Sequence, residues 1–214
     1  GFEVKKDEEL EIKEVRDTIN KLRAKNLDDD AFIKKFSDIF KENKMESISE
    51  GTFFSSILFI SALDETNKIE TFLEKFENAE SPQMQGRYRA VLGQVRDQNA
   101  SKKIVEFMLD GRIRGADCPY ILASMITNKY IGKKSWKVIK ENFNDLLSVM
   151  PDWTASRILD ALPAIYDEEF AGDIKNFIKK NPLPSSEKLA AQKLERLEAN
   201  IEFMDNLKEV NNET

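Results

Sequence analysis

The side chains most able to do chemistry in this 214-residue sequence are carboxylates, lysines and one thiol, because it contains no histidine. Two acidic runs, Asp28-Asp29-Asp30 and Asp167-Glu168-Glu169, have the donor type for a calcium ion or an acid/base pair. Each stands just ahead of an apolar-periodic segment, where a carboxylate accepts hydrogen bonds from the free amides of a first helical turn. Helix capping is therefore the reading that residue type and position favour. Gly132-Lys133-Lys134-Ser135 has the ending of a phosphate-binding loop, but that loop needs a glycine where Thr127 stands and a strand before it. Cys118, a lone thiol without a base partner of the usual kind, reads as a small buried residue. Without histidine there is no Ser-His-Asp or Cys-His nucleophile, no H-E-x-x-H zinc site and no carboxylate-histidine di-iron box. One cysteine allows neither an internal disulfide nor a cysteine-cluster metal site. The first expectation is thus a binding, structural or regulatory domain rather than a self-sufficient enzyme.

The elements that must position these groups are helical throughout. Apolar residues recur at steps of three and four, the mark of a helix face packed on neighbours. Ile12, Val15, Ile19 and Leu22 make one such stripe, Phe32, Phe36 and Phe40 a second, and Phe53, Ile57 and Ile60 a third. Later stripes include Trp136, Ile139, Phe143 and Leu147; Ile158, Leu159 and Leu162; and Ala190, Leu194, Leu197, Ile201 and Met204. All are expected to be core. Proline and glycine fall mostly between stripes, at Gly51, Pro82, Gly111, Gly115, Pro119, Gly132, Pro151, Pro182 and Pro184. About eleven helices with short connections predict an all-α fold, an α-α superhelix of HEAT- or armadillo-like stacked antiparallel pairs forming a curved bowl. No strict repeat period and no internal linker is visible, so residues 1–214 are expected to form a single domain.

Charge adds an asymmetry. Between Ser81 and Met150 twelve basic residues face six acidic ones, a net of +6 that leaves −12 for the remainder of a chain whose total is −6. A basic middle between acidic ends suggests a surface for an anionic partner or an acidic neighbouring domain. The acidic total argues against nucleic acid as a partner. The apolar run from Phe53 to Leu63 is too short and too serine-rich to span a membrane, and no membrane segment is expected. The chain starts with Gly rather than Met, so a fragment of a longer protein is expected, in the cytoplasm.

Three pieces of the second half carry a family resemblance. The first is Tyr88-Arg89-Ala90-Val91-Leu92-Gly93 followed by Asp97. The second runs from Arg114-Gly115-Ala116-Asp117 through Asn128, Gly132 and Trp136 to Glu141-Asn142-Phe143. The third is Phe177-Ile178 followed by Leu194-Glu195-Arg196-Leu197-Glu198-Ala199-Asn200-Ile201-Glu202-Phe203. In this order and spacing, residues 88–203 resemble the C-terminal helical domain of zinc aminopeptidases of the puromycin-sensitive and aminopeptidase N type, which includes the endoplasmic reticulum aminopeptidases. Phe143 and Phe203 stand where that family commonly has Trp.

The resemblance implies a non-catalytic domain whose partners are the upstream catalytic domain of the same protein and its peptide substrates. The family's H-E-x-x-H and G-x-M-E-N motifs are absent, so no catalytic residue carries over. The chain is expected to need no cofactor of its own, with zinc implied in the missing catalytic domain. In such enzymes the helical domain covers the active site and encloses the peptide. Arg87, Arg112, Arg114 and Lys133 are then candidates to face peptide carboxylates or the domain interface. The alternative is a free-standing α-solenoid that binds a protein partner on its concave face.

Overall fold

The computed structural model describes residues 8–42, 51–183 and 186–212. Pro184, one of the expected helix separators, lies outside the described residues. Every regular element among the described residues is helical: twelve α-helices and one 3-10 segment. Packing divides the chain into two compact units, Gly1–Lys103 and Ile104–Thr214.

The first unit holds α1 (Leu10–Asn26), α2 (Asp30–Lys41), α3 (Gly51–Ala62), α4 (Ile69–Glu77) and α5 (Pro82–Leu92). Local chemistry starts these helices. Asp29 caps α2 by accepting the Phe32 amide at 2.9 Å, and Ser81 caps α5 by accepting that of Met84 at 3.2 Å, with Pro82 in the first turn where no amide is needed. The acidic run 28–30 is therefore a cap, and Asp28 itself takes the left-handed turn (φ 46°) that leads into it. The most apolar helix of the unit, α3, touches α1, α2 and α5, while α4 packs on α5. Phe36, Ile57, Leu58, Phe72 and Leu73 are fully buried, and Phe40 stacks on Phe72 at 5.0 Å between ring centroids.

One expected core stripe is overturned. Ile12, Val15, Ile19 and Leu22 of α1 are 48–58% exposed. The helix turns Asn20 and Ala24 inward instead, and the Ser56 hydroxyl of α3 donates to Asp17 at 2.6 Å. With α2 already against α3, and α3 offering α1 a serine, the polar side of α1 makes the contact.

The chain passes from the first unit to the second within α6 (Ala100–Leu109). The second unit continues with α7 (Cys118–Ile126), α8 (Gly132–Glu141), α9 (Phe143–Val149), α10 (Asp152–Ala155), a 3-10 segment Ser156–Ala164, α11 (Glu168–Lys180) and α12 (Glu187–Asn212). The 3-10 segment buries Ile158, Leu159, Ala161 and Leu162 and packs against α7, α10 and α12. This stretch, where the spacing fits a helix face, takes 3-10 rather than α geometry and contains Pro163, which has no amide to give to a helical bond. Helices that follow one another in the chain pack together, α7 with α8 and α11 with α12. The last helix, α12, runs to Asn212, and residues 213–214 lie outside the described residues.

Candidate functional site

Of the four candidate cations, Arg87 belongs to the first unit and Arg112, Arg114 and Lys133 to the second. Arg87 lies on α5 with its guanidinium over the Phe54 ring at 5.2 Å, covering core as much as presenting charge. Arg112, exposed in the turn after α6, stacks on Phe107 at 3.5 Å. Arg114 donates to Asp117 at 2.8 Å. Lys133, on the first turn of α8, pairs with Asp167 at 2.6 Å. That bond raises the pKa of Lys133. The same bond, with the Phe170 amide that Asp167 accepts as cap of α11, lowers the pKa of Asp167.

The basic middle is partly answered from within the chain. Arg96 lies near Asp30 (3.8 Å) and Glu65 (3.7 Å), Lys133 meets Asp167, and Lys140 meets Asp173 at 2.5 Å. All four carboxylates come from the acidic flanking segments. Exposed pairs of this kind add little stability each, but they reduce the field that the composition suggested.

The first unit has a cleft of about 350 Å³ lined by Asp30, Lys34, Lys41, Asp64, Glu65 and Arg96 among others. Burial works against ionisation of Asp64, but hydrogen bonds from Ser37 and Thr66 and the nearby Lys41 charge outweigh it and hold its pKa down to about 2. Lys41 donates to the Thr66 hydroxyl at 2.7 Å. Opposite charges thus line the cleft together, with no surplus of one sign to select a ligand.

The residues that carry the family resemblance sit at structural junctions. Asp97, 4% exposed, accepts the amides of Ile69 and Asn99, both at 3.1 Å, and so caps α4 from a distant loop. Asn128 accepts the Tyr130 amide at 3.0 Å in the turn before α8. A methyl group on Gly132 would come within 2.4 Å of the Ile126 carbonyl oxygen, and one on Gly115 within 2.0 Å of that of Val149, so both mark close backbone approaches. Trp136 donates Nε1–H to Asp173 at 3.0 Å and packs edge-on against Phe177, which Phe143 also meets edge-on. Asn200 of α12 donates to the Pro163 carbonyl at 2.6 Å, tying the long helix to the 3-10 segment. Phe203, by contrast, is exposed. Asp173, which serves both Trp136 and Lys140, escaped the sequence reading because no motif or run marks a single acid in the middle of an amphipathic helix.

Cys118 is buried, and burial first, with Asp117 beside it, pushes its thiol pKa up to about 12, the inert state expected of it. A zinc site of the aminopeptidase kind does not fit these residues. The chain has no histidine, and among the described residues no three cysteine or carboxylate side chains gather closely enough to hold a metal ion. No helix among the described residues is long and apolar enough to cross a membrane.

Aminopeptidase M1-B of Oryza sativa subsp. japonica is 22% identical over 184 residues, covering 82% of this chain but 20% of that protein. The chain therefore spans about a fifth of the length of this relative. The model of the ERAP1-like C-terminal domain matches residues 1–199, reaching through both packed units and every junction described above except Asn200. By that match the chain belongs to the ERAP1-like C-terminal domain family.

Proposed function

We propose that this chain is the non-catalytic C-terminal domain of a longer zinc-dependent aminopeptidase, where it covers the active site and helps enclose and select peptide substrates. The observation that carries the reading is the family match over residues 1–199. In this reading the hydrolytic chemistry belongs to the rest of that protein, a reading supported by the lack of histidine in the sequence. What these residues do in the reading is bind and exclude: a helical wall keeps bulk water and folded substrates from the reacting bond, and its surface cations meet the anionic parts of the peptide.

The four candidate cations then divide by their partners. Arg112 and Lys133 are exposed on the second unit, whereas Arg87 leans on Phe54. The test is a ladder of peptides of increasing length given to the full-length protein and to its Arg112→Glu, Arg114→Glu and Lys133→Glu variants. A change of about threefold or more in the kcat/KM ratio between long and short peptides is expected for at least one variant, the size of a single exposed charge contact. Identical length profiles in all three would refute the substrate-selecting role.

A further inference from the structure

The first helix is built inside out. Asn20 and Ala24 of α1 are buried and Asp17 is tied to α3, while Ile12, Val15, Ile19 and Leu22 run along the outer side, each about half exposed. Their steps of three, four and three residues are those of a seam along which two helices interdigitate. Four adjacent aliphatic side chains on one face exceed the singly scattered apolar residues of an ordinary surface. In stacked helical arrays the outermost helix has a polar outer face, so a helix that is apolar outward is an internal one that has a neighbour on that side.

We infer that the outer face of α1 is an interface for an amphipathic helix from the polypeptide that precedes residue 1 in the full-length protein, packed antiparallel to α1. The inference rests on the reading proposed above, since a C-terminal domain spanning a fifth of its relative's length has chain ahead of it to supply that helix. Charge sets the direction. The start of α1 carries Glu9, Glu11 and Glu14 with Lys13 among them, and its last turn carries Lys25 and Arg23, the latter also paired with Asp29. A helix with the usual acids in its first turn and bases in its last meets opposite charges at both ends only when antiparallel. A second copy of the chain would match the same charges. However, a seam of one 17-residue helix falls short of the roughly 800 Å² per partner of a stable dimer, whereas a covalently linked neighbour is held at high effective concentration and needs no such area.

Amide hydrogen exchange over residues 10–26, compared between the 214-residue chain and the full-length protein, tests this, each with and without Ile19→Glu. Exchange at least about tenfold slower in the full-length protein is expected, with the difference largely erased by Ile19→Glu. The milder Ile12→Gln gives a smaller loss and serves if Ile19→Glu prevents the full-length protein from accumulating. Equal exchange at both lengths overturns the inference. So does a 214-residue chain that sediments as a dimer and becomes monomeric with Ile19→Glu, which would assign the face to a second copy. An aminopeptidase assay on the same full-length preparation separates the two levels. Exposed α1 in an active aminopeptidase refutes this inference alone, and protected α1 in a protein without that activity refutes the functional reading alone.

Discussion

Asp64 and the tight glycines show where single residues hold the fold. The carboxyl of Asp64 has a folded pKa of about 2, below the value near 4 of an unfolded chain. A carboxyl depressed in this way contributes stability in full above about pH 4, and that contribution is lost as pH falls towards 2. Urea midpoints at pH 5 and pH 2.5 are expected to fall less steeply with acid in Asp64→Asn than in the parent chain, and an equal slope would remove Asp64 from the acid response. Glycines separate by what a methyl group would meet. Gly115→Ala and Gly132→Ala push into backbone carbonyls and are expected to cost about 2 kcal/mol or more. Gly86→Ala, in α5 with nothing within 4 Å, is expected to gain about 0.5–1 kcal/mol. Thermal midpoints of the three variants check the order. Asp29 and Asp167 were readable as caps because a cap is local, a carboxylate three residues before the amide it accepts. Asp97 was readable only as part of a motif, since the amide of Ile69 that it caps lies 28 residues earlier in the chain.

At the scale of the element, periodicity identifies a face but not its neighbour. The stripes of α2 and α8 bury Phe32, Phe36 and Phe40, and Trp136 and Ile139, as their spacing requires. The equally regular stripe of α1 is exposed, because the contact α1 makes within the unit goes through Asn20, Ala24 and Asp17. The consequence inverts the usual mutational pattern. In the 214-residue chain, Ile19→Ser is expected to leave stability within about 0.5 kcal/mol, whereas Ala24→Asp, at a fully buried position, is expected to cost about 3 kcal/mol. Denaturant unfolding followed by circular dichroism measures both, and a larger loss at Ile19 than at Ala24 would mean that α1 packs the other way round. The 3-10 segment was legible as apolar but not as 3-10, because the spacing of Ile158, Leu159 and Leu162 fits a face of either helix type.

For the whole molecule, the all-α class and the family were legible in the sequence, the first from helical spacing without strand alternation and the second from an ordered set of junction residues. The surface was not. A net of +6 in the middle of the chain says nothing about which carboxylates will answer it, and Arg96, Lys133 and Lys140 are answered by acids 31 to 66 residues away in sequence. In the proposed function the chemistry lies in one part of a longer protein and the enclosure in another, because this sequence has no histidine. The most direct measurement is hydrolysis of aminoacyl fluorogenic substrates by the full-length protein and by residues 1–214 side by side, with and without a zinc chelator. Chelator-sensitive turnover by the full-length protein and none by residues 1–214 is expected; turnover by residues 1–214 alone, or none by the zinc-loaded full-length protein, would overturn the proposed function.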